Sequence, residues 1–414
     1  MPDETEPNVR PGTCGMRAAA RTAGASGERA AASPHALRAG GRGLGEEACA
    51  AAILPIRTEE DENGTMRALR VGIIGSGGIA QSRHIPGYQR LEKVEVRALA
   101  DVSPEAAQHA AERFSVPHVF ADYRDLLAMS EIDVVSICTP NAFHMQQTVD
   151  ALRAGKHVLV EKPIAVNAVE ARAMIRAAKR AGKLLMVGYH NRFTSAAQTL
   201  KRAVEAGALG EVYFAEGIAT RRRGIPGWGV FTQKKLSGGG ALVDIGVHIL
   251  DLTLYLMGFP TPVAVSGVAA ARIGPRPEMA KALGGWPWDP KKFDVDDFGA
   301  AFVRFRGGAS LVLKTSWAGH IGEEGWNSTL WGTDGGCQFS PPAIYRQEYG
   351  ALVDVTPAML PEVVGHYEEI RLFVEAIRKG LPSPAPAEEA LVTQRILDAI
   401  YESSRTGREV RLTR

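Results

Sequence analysis

The chain has 414 residues, 45 % of them hydrophobic and 23 % charged, with a formal net charge of +2. That length allows two domains and a large buried core, and the near-neutral balance gives no electrostatic basis for binding nucleic acid or an anionic membrane. Cys14, Cys49, Cys138 and Cys337 are scattered with no CxxC pair, which argues against a zinc ribbon or a disulfide framework and for a reducing cytoplasmic setting. No apolar run reads as a membrane span.

Residues 1–65 are rich in Ala, Arg, Gly and Glu, almost without aromatics, and show no sustained apolar period. Such a stretch cannot bury enough surface to offset its ordering entropy, so a disordered extension is expected. Met66 stands directly before the first convincing strand and is the alternative start. From there strands and helices alternate. Leu69–Gly75 and Val94–Asp101 are strands. Ser103 is an N-cap with Pro104 in the first helical position, and a helix runs to about Phe114. Val119–Asp122, Ile132–Thr139, His157–Glu161 and Leu184–Gly188 are further strands, separated by a short helix, by Phe143–Ala154 and by a helix from Asn167 to Gly182. This βαβ alternation predicts a doubly wound parallel sheet over residues 66–188, covered on both faces.

The pattern changes after a helix near Ser195–Ala206. Long alternating runs follow at Glu211–Arg223, Pro262–Ile273, Phe298–Phe305 and Ala309–Trp317, with turn signals at Arg306-Gly307-Gly308 and Asp334-Gly335-Gly336. A helix at about Gly240–Met257 interrupts them, and helices near His366–Arg378 and Ala387–Ser403 close the chain. Residues 189–414 therefore read as an α+β domain with a mostly antiparallel sheet.

Gly75-Ser76-Gly77-Gly78-Ile79-Ala80 ends the first strand and opens a helix. Gly75 permits a tight turn, Gly77 lets the backbone approach a diphosphate, and Ala80 lets the helix pack against the sheet. The free N–H groups at the helix start, from Gly78 and Ile79, face an anion. Asp101 ends the next strand, 21 positions beyond Ala80, where a carboxylate grips ribose hydroxyls and repels a 2′-phosphate. The first domain is expected to bind NAD in preference to NADP. Pro86-Gly87 falls inside the expected first helix, which must be short or kinked.

Two motifs lie at carboxyl ends of later parallel strands, where ligands of such sheets bind. They are Thr139-Pro140-Asn141-Ala142-Phe143-His144 and Glu161-Lys162-Pro163. Further along stand Gly188-Tyr189-His190-Asn191-Arg192-Phe193 and Gly239-Gly240-Ala241-Leu242-Val243-Asp244-Ile245-Gly246-Val247-His248. Asp244, His248 and Asp251 fall on one face of a helix and need partners or a polar cavity. No third ligand accompanies Asp244 and His248, so no metal site is expected.

With the glycine loop, these segments resemble the glucose-fructose oxidoreductase, inositol dehydrogenase and rhizopine-catabolism family (Gfo/Idh/MocA) over essentially Met66–Arg414. The resemblance implies a Rossmann domain followed by an open-faced antiparallel sheet, often used for dimer or tetramer contacts. It implies hydride transfer between a nicotinamide cofactor and a sugar, inositol or related polyol. Lys162, Asp244 and His248 would be the catalytic set: His248 takes the hydroxyl proton, Lys162 holds the reacting oxygen, and Asp244 orients the substrate hydroxyls. Thr139, Pro140, Asn141 and Glu161 would line the cofactor cleft, with His144 orienting the loop under the nicotinamide. Asn191 and Arg192 line the site, or Arg192 makes a structural ion pair. Trp228 suits the apolar face of a sugar ring. Arg221-Arg222-Arg223 bind an acidic group or are solvated, and residues 284–290 look like an insertion serving as lid or subunit contact. The alternatives to a dehydrogenase are a hydrolase or lyase using NAD transiently, and a non-catalytic NAD-binding regulator.

Overall fold

Residues 67–280 and 286–413 are described by a computed structural model. The expected extension over 1–65, the start at Met66, and Gly284 and Gly285 of the insertion lie outside the described residues.

Strands β1 (Leu69–Ile74), β2 (Val94–Ala100), β3 (His118–Phe120), β4 (Val134–Ile137), β5 (His157–Val160) and β6 (Leu185–Val187) form one sheet in the order β3-β2-β1-β4-β5-β6. Every pairing in it is parallel. Strands β4, β5 and β6 are buried at each position, as strands covered on both faces must be, and so they read as near-continuous apolar runs. The chain order reverses between β1 and β4, which opens a crevice beyond their carboxyl ends.

Helices α1 (Ile85–Gln89), α2 (Pro104–Phe114), α3 (Tyr123–Ala128), α4 (His144–Arg153) and α5 (Ala168–Ala181) connect these strands. Their ends follow from local chemistry. Ser103 Oγ accepts from Ala106 N at 3.3 Å to start α2, and Asn167 Oδ1 accepts from Glu170 N at 3.0 Å to start α5. Gly182, at φ +62°, stops α5 in the left-handed region. The first connection is broken, as Pro86-Gly87 requires: a π-helical turn, Ala80–His84, precedes α1, whose first turn holds Pro86.

The second sheet contains β7 (Val212–Thr220), β8 (Pro262–Ala270), β9 (Phe298–Phe305), β10 (Ser310–Ser316), β11 (Gly325–Gly332), β12 (Gly335–Gln338), β13 (Ala343–Glu348), β14 (Ala351–Val355) and β15 (Val410–Arg411). Their order is β14-β13-β12-β11-β7-β10-β9-β8-β15. It is antiparallel except where β7 meets β10. Helices α6 (Ser195–Glu205), α7 (Lys234–Ser237), α8 (Val247–Met257), α9 (Gly365–Lys379) and α10 (Ala387–Thr406) complete the fold. Helices α8 and α10 pack on one face of this sheet. Phe214, Ile218, Val312 and Trp331 point to the other face and stay partly or fully exposed.

Helix α9 returns to the first sheet. Its Ile370, Phe373, Val374 and Ile377 share a core with Leu69, Val71 and Leu159. Gly87 makes that docking possible, because a Cβ there would lie 2.5 Å from Ile370 Cδ1. Counted through its turns, Lys234–Met257 is long and apolar enough to match a membrane span, which the sequence reading did not register. In the fold, 78 % of its most apolar window is buried, the mark of a core helix that is apolar on all sides.

Candidate active site

The crevice at the end of β1 begins with Gly75, whose φ is +89°. A Cβ at that position would lie 2.8 Å from the carbonyl carbon of Cys138, so only glycine lets the turn press against the end of β4. Gly77 and Gly78 face open space with nothing within 4 Å of a built Cβ, and Ala80 is fully buried. This is the arrangement a diphosphate needs: free backbone N–H groups at a turn, no side chain in the way, and a small residue at the packing contact. Asp101 closes the far end. Its Oδ2 accepts from Ser76 N at 2.8 Å and Ser76 Oγ at 3.0 Å, and its Oδ1 accepts from Ser103 N at 3.0 Å. The carboxylate thus braces the glycine loop and still has lone pairs for a ribose hydroxyl.

A cleft of about 490 Å³ extends from this loop. Gly77, Gly78, Ile79, Thr139, Pro140 and Asn141 line it from the first sheet, with Glu161 and Lys162 deeper in, and Trp228, Phe231 and Asp244 line it from the second domain. Asn141 spans the two sides, its Nδ2 donating to Ser237 O at 2.7 Å. Thr139 Oγ1 donates to Gln147 Oε1 at 2.6 Å. His144, fully buried, lies 2.9 Å from both Thr139 O and Pro163 O through its two ring nitrogens. It ties the turns after β4 and β5 together, and burial lowers its pKa, so the neutral ring donates to one carbonyl at a time.

Lys162 leaves the end of β5 and crosses to the second domain. Its Nζ donates to Asp244 Oδ1 at 3.2 Å and to Asp244 O at 3.0 Å. The other carboxylate oxygen accepts from Trp317 Nε1 at 3.0 Å, and Trp317 is fully buried. Asp244 is therefore fixed at both oxygens. It sits in a π-helical turn, Leu242–Gly246, that leads into α8. Asp296 anchors that turn by accepting from Gly240 N at 2.8 Å and Leu242 N at 2.9 Å.

His248, one turn further, differs from the other site groups. Its ring makes no hydrogen bond among the described residues, and Nδ1 is buried without a partner. Burial, reinforced by the Lys162 cation, holds its pKa well below the ordinary imidazole value. The ring of His190 lies edge-on at 5.0 Å, and His366 stacks on His190 at 3.6 Å. Neither was assigned a role from the sequence, although His190 stands inside the Gly188–Phe193 motif. His366 comes from α9, 176 positions beyond His190 in the chain, and only the fold could join them.

One expectation needs correction: of its two readings, Arg192 takes the structural ion pair. Arg192 does not reach the cofactor cleft. It is fully buried, with Nε and Nη2 on the two oxygens of Asp251 at 2.7 and 2.6 Å and Nη1 on Glu389. A guanidinium fork fits a carboxylate in this two-pronged way, and a buried carboxylate at Asp251 requires such a partner. Asp251, expected on one helix face with Asp244 and His248, thus finds its partner in Arg192. Glu161 touches the cleft but spends its charge on His84, Oε1 to Nε2 at 2.8 Å. Burial would raise its pKa, yet the bond and the charge of His84 bring it down to about 2. His84 Nδ1 continues to Ser136 Oγ at 3.2 Å, and Ser136 Oγ to Tyr88 OH at 2.9 Å, a buried column under the crevice that the sequence did not disclose.

Trp228 is 45 % exposed and meets Trp286 edge-to-face at 4.0 Å and Phe231 at 5.8 Å. Trp228 and Phe231 border the same cleft as the glycine loop. Arg221 and Arg223 bond backbone carbonyls, Gly224 O and Gly319 O at 3.3 Å. None of the three arginines pairs with a carboxylate side chain among the described residues at salt-bridge distance.

A glycine loop on a parallel sheet, opening on a Lys–Asp pair supplied by two domains, defines a nucleotide-dependent oxidoreductase. Residues 69–189 match the model of the "Oxidoreductase family, NAD-binding Rossmann fold", and residues 197–338 match the "GFO/IDH/MocA C-terminal domain". The chain is 36 % identical over 350 residues to the D-glucoside 3-dehydrogenase of Escherichia coli strain K12, covering 84 % of this chain and 99 % of that protein. It is 31 % identical over 297 residues to the levoglucosan dehydrogenase of Pseudarthrobacter phenanthrenivorans, covering 66 % of this chain and 74 % of that one. A solved levoglucosan dehydrogenase, in complex with NADH and levoglucosan, aligns with a TM-score of 0.74 at 26 % identity, over 84 % of this chain and 100 % of that chain. The chain belongs to the Gfo/Idh/MocA family of NAD-binding oxidoreductases.

Proposed function

We propose that the protein oxidises an alcohol group of a sugar, inositol or related polyol, with Lys162, Asp244 and His248 as the reacting set. The observation that carries this reading is the Lys162–Asp244 contact at 3.2 Å, made across the cleft that the glycine loop opens. NAD, when bound, accepts the hydride from the substrate carbon. Gly75, Gly77, Gly78, Ile79 and Ala80 would hold its diphosphate, Asp101 its ribose, and Thr139, Pro140 and Asn141 the wall beside it.

Lys162, cationic, would hold the reacting oxygen and favour its deprotonated form. Asp244 shares that cation and, held by Trp317, fixes where Lys162 points and offers acceptors to neighbouring hydroxyls. His248, neutral and unpartnered, takes the hydroxyl proton on a ring nitrogen. Trp228 and its aromatic neighbours would cover the apolar face of the ring. The sugar dehydrogenases among the relatives support this substrate class. A panel of free sugars, glycosides and inositols, assayed for NADH formation, tests it, and a protein that binds NAD but reduces it with none of them would speak for the regulator.

The same reading takes the protein to be cytoplasmic and a homo-oligomer. Cys138 and Cys337, the cysteines among the described residues, are free, in keeping with a reducing compartment. Trp331, 53 % exposed, and Val268, 40 % exposed, lie with Phe214 and Ile218 on the uncovered side of the second sheet. An apolar face of this kind suits a second copy of the chain.

A further inference from the structure

A base that takes a proton must release it before the next turnover, and His248 is badly placed to do so alone. The residue is half-buried with Nδ1 enclosed and unpartnered, Lys162 stands beside it, and Asp244 already accepts from Lys162 and Trp317. What does touch it is another imidazole. His190 lies edge-on at 5.0 Å with an interplanar angle of 69°, and His366 stacks on His190 at 3.6 Å and 14°.

These three rings differ from the rest of the site's histidines. His84 and His144 have both ring nitrogens engaged. None of His190, His248 and His366 makes a side-chain hydrogen bond among the described residues, so their ring nitrogens are available. The line of rings also has a direction. His190 follows β6 in a short 3₁₀ turn, and His366 is in the first turn of α9, directly after the exposed residues Glu362, Val363 and Val364. Gly365 sets the approach: a Cβ there would lie 2.4 Å from His190 O, so glycine lets the start of α9 close on the turn that carries His190.

The charged and titratable groups acting on His248 are Lys162 from the turn after β5, itself paired with Asp244, together with His190, His366, and Arg221 from the end of β7. The burial and the cations together disfavour a proton remaining on His248. His190 and His366 are themselves held low, to about 4 and about 3, by burial first, so neither traps the proton.

We propose that His190 and His366 form the exit by which the substrate's proton travels from His248 to solvent at the start of α9. This rests on His248 being the base. The O–H bond of the alcohol breaks as an N–H bond forms on His248. Each later transfer breaks one N–H bond and makes the next, directly or through one water, and ends on solvent or buffer, with no electrons moving along the path. His190 and His366 act through His248 and are positioning residues for its proton.

The test is stopped-flow oxidation of a turned-over substrate with two signals, NADH absorbance and a pH-indicator dye, in wild type, His366→Phe and His366→Gln. Phe keeps the stacked ring and removes the nitrogens; Gln serves should Phe disturb the fold. In the wild type, proton release and NADH formation keep pace. In the variants the first hydride transfer stays fast, proton release lags behind it, steady-state turnover falls about tenfold or more, KM holds, and added free imidazole restores turnover. Proton and NADH appearing together at the wild-type rate would overturn the proposal. So would a raised KM with kcat unchanged, which makes His366 a substrate ligand, or a loss of kcat that imidazole does not repair. Failure of the base assignment looks different: His248→Ala would keep its first hydride transfer.

Discussion

Asp101 holds two kinds of contact at once, and its substitution reports on both. It braces Ser76 of the glycine loop and is the carboxylate proposed for the ribose. Asp101→Ala should weaken NAD binding by about 1.5–3 kcal/mol, one charge-assisted bond, and narrow the preference over NADP. Ser76→Ala removes only the Oγ contact and should leave that preference alone. The ratio of kcat/KM for the two cofactors, measured in both variants, decides it; an unchanged ratio in Asp101→Ala contradicts the assignment. The pH dependence follows from His248. A base works when neutral, so a pKa held well below the ordinary value keeps the free enzyme active to lower pH. The acid limb of kcat/KM should lie below the usual imidazole value of about 6.5, and a limb at or above it would show that His248 is not the group titrating. Arg192 teaches the opposite lesson about single residues. Its partners are Asp251 and Glu389, 59 and 197 positions away, so nothing in the local motif separates a cofactor ligand from a buried ion pair.

At the level of elements, boundaries with local chemistry were legible and turns set by tertiary packing were not. Ser103-Pro104, Asn167 and Gly182 announce helix ends because the capping groups are adjacent in sequence. The Arg306-Gly307-Gly308 signal does join β9 to β10 as a hairpin, with both glycines at positive φ. The runs of β11 to β14 escaped the reading, although the Asp334-Gly335-Gly336 turn signal does fall where β11 meets β12 as a hairpin. Gly325–Gly332 reads GWNSTLWG and Gly335–Gln338 reads GGCQ, sequences of weak strand preference whose pairing is imposed by neighbouring strands. The π-helical turn carrying Asp244 was likewise hidden, since it depends on Asp296, more than fifty positions later. A Cβ on Gly240 would lie 1.8 Å from Asp296 O. Gly240→Ala should therefore push this turn off its anchor, cost about 1–3 kcal/mol of stability and, by moving Asp244 away from Lys162, lower kcat by about 100-fold. Thermal unfolding beside steady-state kinetics checks both; unchanged kcat would mean that the anchor does not position Asp244.

For the whole molecule, two sheets share the work. In the proposed site the first would present backbone N–H groups and Lys162 and the second Asp244 and His248, while α9 returns from the second region to pack against the first. The doubly wound half was readable because buried parallel strands are apolar throughout, while its companion sheet showed only its alternating strands. The uncovered side of that sheet carries Phe214 against Trp331 at 4.7 Å, beside Ile218. Ile218→Glu with Trp331→Glu should convert an oligomer to monomer in sedimentation velocity while leaving NAD binding intact; an unchanged sedimentation coefficient would place the contact elsewhere.

The central claim is that Lys162 and His248 act on one oxygen across the cleft, and single-turnover hydride transfer tests it most directly. Wild type, Lys162→Met and His248→Ala are mixed with NAD and a substrate found in the panel, with NAD affinity measured by fluorescence and folding by circular dichroism. Both variants should fold and bind NAD as the wild type does, because the glycine loop is untouched. His248→Ala should transfer hydride roughly 100- to 10,000-fold more slowly, the range for a lost general base, and Lys162→Met should lose rate far more than cofactor affinity. Folded His248→Ala protein that transfers hydride at a near-normal rate would contradict the account.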